Sequence, residues 1–196
     1  MSERVRSERF IADVPVTIPF APALWWIGVG ADALLSPGGI APIAVLGLDV
    51  GYRFHRHWSV DAFVAIQPYM RRLNVEGFET RLRLDQFGAG LSYHPLVRPG
   101  VDLALRVRAA AVRLGVSGTG SPQGGDLAGQ RDAVWMGFPA GGVALRVGLT
   151  RRIWLNIHGE AGAILPRAVV SGGSVDFGSL GELAVETGIS LEVHFR

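Results

Sequence analysis

The feature that most constrains this chain is an alternation of apolar with small or polar residues. From Ala44 to Phe54, for example, every second residue is apolar, and the residues between them include Gly47, Asp49 and Gly51. Because successive side chains of a β-strand point to opposite faces, this period of two predicts strands with one apolar face. Eight such segments are separated by clusters of Gly, Pro, Asp and Ser. They cover residues 23–35, 43–54, 57–69, 81–94, 101–114, 133–149, 153–165 and 183–195.

Composition narrows the class of protein further. Of the 196 residues, 48% are hydrophobic and only 18% are charged, whereas soluble domains carry about a quarter of their residues as charge. No segment supplies the roughly 20 consecutive apolar residues of a membrane-spanning helix. Cysteine and lysine are absent, which excludes disulfides, thiolate chemistry and a catalytic lysine. The formal charge is only +2, so nothing in the composition indicates nucleic-acid binding.

The connections indicate a closed barrel. Compact links at 55–57, 95–100 and 150–152 alternate with longer ones at 70–79, 116–131 and 166–181. A barrel in lipid satisfies its backbone by closing, and it has an apolar outer face, a polar interior and short turns at one end. We therefore predict an all-β fold, an eight-stranded antiparallel up-and-down transmembrane β-barrel over residues 23–196, preceded by an N-terminal extension over residues 1–22.

Two strands depart from this alternation. Leu82 and Leu84 have the opposite parity to Phe87, and the parity changes again across residues 139–142. Both places predict a β-bulge.

Residues 1–22 are interrupted by three prolines and show no apolar core of a signal peptide, so they are interpreted as a periplasmic extension or the tail of a trimmed leader.

Aromatic residues mark the strand ends beside the compact links and predict a girdle at one membrane interface. The girdle residues are Trp26, Tyr52, Phe54, Trp58, Tyr93, Trp154 and Phe195. The C-terminus carries the spacing of a barrel-assembly signal, formed by Glu186, Gly188, Leu191, Val193 and Phe195. Arg196 departs from that pattern, in which an aromatic residue usually comes last.

With these features the chain resembles the small eight-stranded outer-membrane barrels of Gram-negative bacteria, similar in plan to the outer-membrane protein A, X and W families. The resemblance implies an integral outer-membrane protein with periplasmic termini. It also implies outer-membrane lipid, lipopolysaccharide and the barrel-assembly machinery as partners. We expect a monomer with no nucleic-acid partner, no cofactor and no metal. The fold itself implies no particular activity, because it carries many functions.

The strand faces opposite the apolar one contain charged residues that we expect to pair inside the barrel, because an isolated buried ion is costly. This interior polar cluster comprises Asp32, Asp49, Arg53, Asp61, Arg106, Arg108, Arg146, His158, Glu160, Glu186, Glu192 and His194. The expected result is a largely plugged barrel with a structural or surface-interaction role and no catalysis. Arg81, Arg83 and Arg113 gather at the presumed outer end, where guanidinium groups suit lipopolysaccharide phosphates.

Three alternatives stay open. The first is a narrow channel for small or apolar solutes. The second is a membrane-embedded lipid hydrolase, in which Glu160 orients His158 as general base and Ser190 or Ser59 is the nucleophile. The third is a soluble calycin-like barrel that binds a hydrophobic ligand and places the apolar faces inside.

Four histidines fall at the end of the predicted barrel that has the compact links: His55, His57, His94 and His194. Histidines in surface turns explain this grouping without a metal.

Overall fold

The computed structural model describes residues 25–38, 40, 42–75, 78–119, 131–172 and 175–195. The predicted extension at residues 1–22 lies outside the described residues, as does most of the predicted link at 116–131. The described residues form nine strands: β1 Trp25–Leu35, β2 Ile43–His55, β3 Trp58–Ile66, β4 Arg71–Val75, β5 Phe78–Arg98, β6 Val101–Thr119, β7 Arg131–Gly148, β8 Ile153–Gly172 and β9 Val175–Phe195. Among the described residues, none forms a helix long and apolar enough to cross a membrane.

The strands close into a ring in which every neighbour is antiparallel. Strand β1 pairs with β2 and β9, β3 pairs with β2 and β5, and the remaining neighbours follow chain order. Strand β4 pairs with β5 beyond the end of β3, so these two short strands share one of eight positions in the ring. Among the described strands, all but β4 have a neighbour on both sides, and β4 pairs with β5 alone. The predicted all-β, eight-stranded antiparallel barrel is confirmed.

We call the end of the barrel with the compact links the turn end and the opposite one the loop end. Strands β5, β6, β8 and β9 are 19–21 residues long, several residues longer than predicted, whereas β7 has 18 residues, one more than predicted. Most of the added residues lie at the loop end. There the pairing continues past the segments in which the alternation was recognised, for example between Gly172 and Val175.

The outer face is apolar around the ring. Large apolar side chains there are about half exposed, which is what a face turned to lipid requires and what a monomer in water rarely shows. Examples from different strands are Ile27, Val29, Leu48, Val64, Leu91, Val107, Val143, Ile157, Ile189 and Leu191. The soluble calycin-like alternative, which places these residues inside, is therefore wrong.

The interior has two halves of different chemistry. The half nearer the turn end, here called the polar half, holds the charged side chains described below. The half nearer the loop end is an apolar core of buried side chains. This apolar half contains Leu34, Ile40, Ile43, Val45, Ala65, Leu82, Leu84, Ala110, Val112, Leu114, Met136, Phe138, Ala140, Ile164, Ala168, Val170, Leu180 and Ala184.

The two predicted bulges are wrong, because both places belong to the apolar half. Leu82 and Leu84 are fully buried, and the register of β5 with β6 runs without a shift through Asp85. The pairing of β6 with β7 is likewise continuous through Pro139, beside the buried Phe138. The parity appeared to change because the inward face switches from polar to apolar residues along each strand. The change in the sequence pattern therefore reflects a change in the chemistry of the interior and not a bulge.

Candidate functional site

All twelve residues of the predicted interior cluster occupy inward-facing positions in the structure. Nine of them are buried, while Asp32, Asp49 and His194 are partly exposed. They come from β1, β2, β3, β6, β7, β8 and β9, so the barrel collects charges that are far apart in the sequence. The alternation along single strands could therefore predict that these residues face the interior. It could not predict which of them form ion pairs.

Arginines from β6 bridge carboxylates across the interior. Arg106 contacts Asp61 of β3 at 3.2 Å and Glu160 of β8 at 3.3 Å. Arg108 contacts the other oxygen of Glu160 at 3.1 Å and Glu186 of β9 at 3.3 Å. Bridging of this kind compensates charges that would be costly alone in a low-dielectric interior. The network links strands on opposite sides of the ring.

The turn end is filled by aromatic rings stacked with charged groups. Arg146 donates from Nε to Glu192 at 3.1 Å, and its guanidinium lies 4.5 Å from the centre of the Trp26 ring. The indole nitrogen of Trp26 donates to Asp49 at 3.1 Å. Trp154 stacks on His194 with ring centres 5.2 Å apart. These contacts close the polar half at the turn end.

The girdle prediction needs correction for two of its seven members. Trp26 and Trp154 are almost fully buried inside the barrel, because both stand at inward-facing positions. The other predicted members, Tyr52, Phe54, Trp58, Tyr93 and Phe195, keep their rings at least partly exposed on the outer face. Trp25 joins them, with its ring centre 4.5 Å from that of Tyr52. At the loop end Phe87 and Trp135 form a second outward pair, 5.7 Å apart, that the sequence analysis missed.

A buried group at the turn end was also missed. Ser59 Oγ lies 2.8 Å from His94 Nε2, and His94 Nδ1 lies 2.8 Å from Asp102 Oδ1. Arg53 Nη2 lies 3.1 Å from the same Nδ1. In the tautomer that carries its proton on Nδ1, this nitrogen donates to the carboxylate and Nε2 accepts from the serine hydroxyl. Arg53 pairs with the second oxygen of Asp102. The signal was present, because Ser59, His94 and Asp102 all stand on the inward parity of their strands.

These distances are those of a nucleophile, base and acid in a serine hydrolase. Ser59 and His94 are nevertheless completely buried, and Asp102 is 3% exposed, so the hydroxyl does not face a surface that a substrate can reach. The arrangement is therefore a buried hydrogen-bonded cluster at the turn end, here called the seal.

The predicted pairing of His158 with Glu160 is wrong. Glu160 contacts Arg106 and Arg108, whereas His158 Nε2 faces Asp32 Oδ1 at 3.1 Å. Ser190, the other proposed nucleophile, accepts from the amide of Asn156 at 3.3 Å. Asp32, His158 and Glu186 can each offer one oxygen or nitrogen within 4.8 Å of the others, a spacing that could hold a metal ion.

The predicted outer arginines lie together on the outer face at the loop end. Arg81, Arg83 and Arg113 line a groove of about 380 Å³ with Asp85 and Asp132. Asp85 lies 3.1 Å from Arg83 and 3.7 Å from Arg113. Side chains of Arg83 and Arg113 are about half exposed, so their guanidinium groups stay open to a ligand beside the aspartate.

The residues of the predicted assembly signal lie on β9. Glu186 faces the interior and is buried, as expected of a polar inward position. Leu191, Val193 and Phe195 face outward and are about half exposed. Gly188 stands directly between Asp32 of β1 and His158 of β8. Whether the assembly machinery reads this pattern stays a prediction.

Comparisons with known proteins agree with this architecture. No protein-family model and no curated protein matches the chain. A major outer membrane protein of Thermus thermophilus aligns with a TM-score of 0.63 at 12% identity, covering 87% of this chain and 99% of that one. OprG of Pseudomonas aeruginosa aligns at 0.59 and 15% identity, covering 88% and 97%. Ail of Yersinia pestis, an attachment invasion locus protein, aligns at 0.55 and 13%, covering 89% and 99%.

The closed ring and the apolar outer face define the class of protein, an integral β-barrel membrane protein of the outer-membrane type. The chain is similar in fold to small eight-stranded outer-membrane barrels, as the resemblance over residues 23–196 predicted. At these identities the likeness concerns the fold alone. Function must therefore be argued from the interior and the surface.

Proposed function

We propose that this protein is a sealed outer-membrane barrel that works through its outer surface, with both termini in the periplasm. The observation that carries the proposal is the filling of the interior over both halves. A channel needs a continuous wet path, whereas this interior places an apolar core in series with a network of paired charges. The narrow-channel alternative is therefore not favoured.

The apolar half is the stronger barrier. Leu34, Leu84, Leu114 and Ile164 come from four different strands and are fully buried. Hydrated solutes would have to lose their water to pass these side chains. An eight-stranded barrel is narrow enough for such side chains to fill its cross-section.

Single-channel recording in planar bilayers tests the seal. We expect the wild-type barrel to give no stepwise current, and a Leu84→Gly/Leu114→Gly variant, which removes plug volume, to leak more than the wild type. The matched control is Leu91→Gly/Leu105→Gly, in which both leucines face outward on the same two strands. Regular conductance steps from the wild-type protein would contradict the proposal.

The surface role that the structure supports best is contact with lipopolysaccharide phosphates. The groove of Arg81, Arg83 and Arg113 begins where the apolar outer face ends, at the level of Trp135, which pairs with Arg113 in register. Guanidinium groups bind phosphate oxygens through two parallel hydrogen bonds. A phosphate in the headgroup layer would meet the groove at this height of the barrel.

Lipopolysaccharide that co-purifies with the protein from outer membranes measures this contact. Arg81→Gln/Arg83→Gln/Arg113→Gln is expected to lower the bound amount several-fold, because two or more charged contacts are lost. Arg151→Gln/Arg152→Gln, which removes exposed arginines from the turn end, is the matched control and is expected to bind as the wild type does. Equal binding by all three proteins would overturn the surface proposal while leaving the sealed barrel untouched.

A further inference from the structure

Three side chains with metal-ligand chemistry meet inside the barrel, across the seam where the first and last strands close the ring. Asp32 belongs to β1, His158 to β8 and Glu186 to β9. One ligand atom from each lies within 4.8 Å of the others. An imidazole with two carboxylates is a donor set that suits divalent transition metals and leaves coordination positions for water.

The atoms at this site lack other partners. Glu186 Oε2 is buried and accepts no hydrogen bond, because Arg108 contacts only the Oε1 atom. Neither ring nitrogen of the buried His158 is hydrogen-bonded, and its contact with Asp32 is an ion pair only if the ring is protonated. Buried polar atoms in folded proteins are nearly always satisfied, so orphaned atoms that face one another indicate a missing ligand.

The charge of the polar half favours a cation. Its described inward-facing residues include seven carboxylates and four guanidinium groups, an excess of three carboxylates, with His94, His158 and His194 beside them. The carboxylates are Asp32, Asp49, Asp61, Asp102, Glu160, Glu186 and Glu192, and the arginines are Arg53, Arg106, Arg108 and Arg146. Uncompensated charge is costly in this enclosed interior, and a divalent ion would remove most of the excess at once.

The backbone leaves room for the ion and its water. Gly188 lies between Asp32 and His158 in the register, and a Cβ atom there would overlap the Asp32 carboxylate. The absence of a side chain therefore lets the two groups meet over β9. A cavity of about 30 Å³ adjoins Asp32 and His158 and is lined also by Asn156 and Ser190. This volume is enough for an ordered water beside polar partners.

We propose that Asp32, His158 and Glu186 bind one divalent transition-metal ion, which ties β1 to β8 and β9 at the closing seam of the barrel. Arg108 remains on the opposite oxygen of Glu186, so binding does not require the arginine network to break. The ion is structural in this position, since the apolar half and the seal at the turn end separate it from both surfaces.

Zn²⁺ is the probe for the test. The full chain is stripped of metal while unfolded and is then refolded in detergent micelles with Zn²⁺ present, because the folded barrel separates the site from both surfaces. The background is His55→Gln/His57→Gln, which removes two neighbouring rings, one exposed and one half-buried, that could bind zinc adventitiously. Competition with a chromophoric chelator should show one equivalent of bound Zn²⁺. His158→Gln should weaken binding by about tenfold or more, because a ligand is lost. His94→Gln, which alters a buried histidine outside the site, should change binding less than about twofold.

Thermal unfolding keeps the proposal testable if a variant fails to fold. Saturating Zn²⁺ should raise the midpoint of the background protein by about 5 °C, since only the folded state holds the site. Ca²⁺, which prefers oxygen ligands alone, should not do so. The proposal is overturned if Zn²⁺ neither binds nor shifts the midpoint, if Ca²⁺ shifts it equally, or if His94→Gln weakens binding as much as His158→Gln does.

Discussion

At the scale of single residues, the interior depends on positions that carry no side chain. The Trp26 ring lies over Gly51, where an added Cβ atom would overlap the ring itself. Asp32 occupies the space over Gly188 in the same way. The sequence shows these glycines on the inward parity of their strands but not which large side chain crosses each of them, because that depends on the neighbouring strand.

Gly51→Ala should therefore destabilise the barrel. The backbone of β2 and the ring of Trp26 must move apart, and overpacking of this kind costs about 1–3 kcal/mol. Gly159→Ala is the matched control, since its added Cβ would meet no atom within 4 Å. Urea unfolding of both variants in lipid bilayers measures the difference. Equal stability of the two variants would argue against the packing described here.

Ser59 provides a second test at this scale. Its hydrogen bond to His94 has the geometry of an activated serine, but the hydroxyl is completely buried. We expect a fluorophosphonate probe to label the folded protein no more than it labels Ser59→Ala, with a known serine hydrolase treated in parallel. Labelling that depends on Ser59 and His94 together would favour the lipid-hydrolase alternative over a seal.

At the scale of strands, the outer face was predictable and the inner face only partly so. The apolar alternation of β1, β2 and β9 identified which residues face lipid, because that face is uniform along the strand. On β5, Leu84 and Leu91 are both apolar but face opposite sides. If the interior is assumed to be polar throughout, an inward-facing leucine predicts a bulge. The apolar core becomes visible only when the neighbouring strands are placed beside β5.

Leu84→Ala tests the two-faced character of β5. Leu84 is fully buried in the apolar half, so its truncation leaves a cavity and should cost about 2–5 kcal/mol in the free energy of unfolding. Leu91→Ala on the same strand should cost clearly less, because lipid chains can fill the space left on the outer face. The comparison uses urea unfolding in bilayers. A larger cost for Leu91→Ala would mean that the two faces are assigned the wrong way round.

At the scale of the whole molecule, ring closure creates the site. Alternation placed charged residues inside but left their partners unknown, since Arg108 meets Glu160 and Glu186 only when the sheet curves and β6 faces β8 and β9, two and three positions away in the ring. The same limit explains why the predicted partner of His158 was wrong. The prediction chose Glu160, its neighbour in sequence, whereas the structure places Asp32 beside it, from the strand two positions away in the ring. Fold class follows from local pattern, whereas pairing requires the closed barrel.

The central claim is that one face of every strand meets lipid while the other faces a sealed interior. Quenching of tryptophan fluorescence by brominated lipids tests it directly in variants that keep either Trp58, on the outer face, or Trp154, inside the barrel. A mobility shift on boiling in a denaturing gel shows that each variant is folded. The account predicts strong quenching of Trp58 and little quenching of Trp154. Equal quenching of both, or a folded protein that resists quenching altogether, would contradict it.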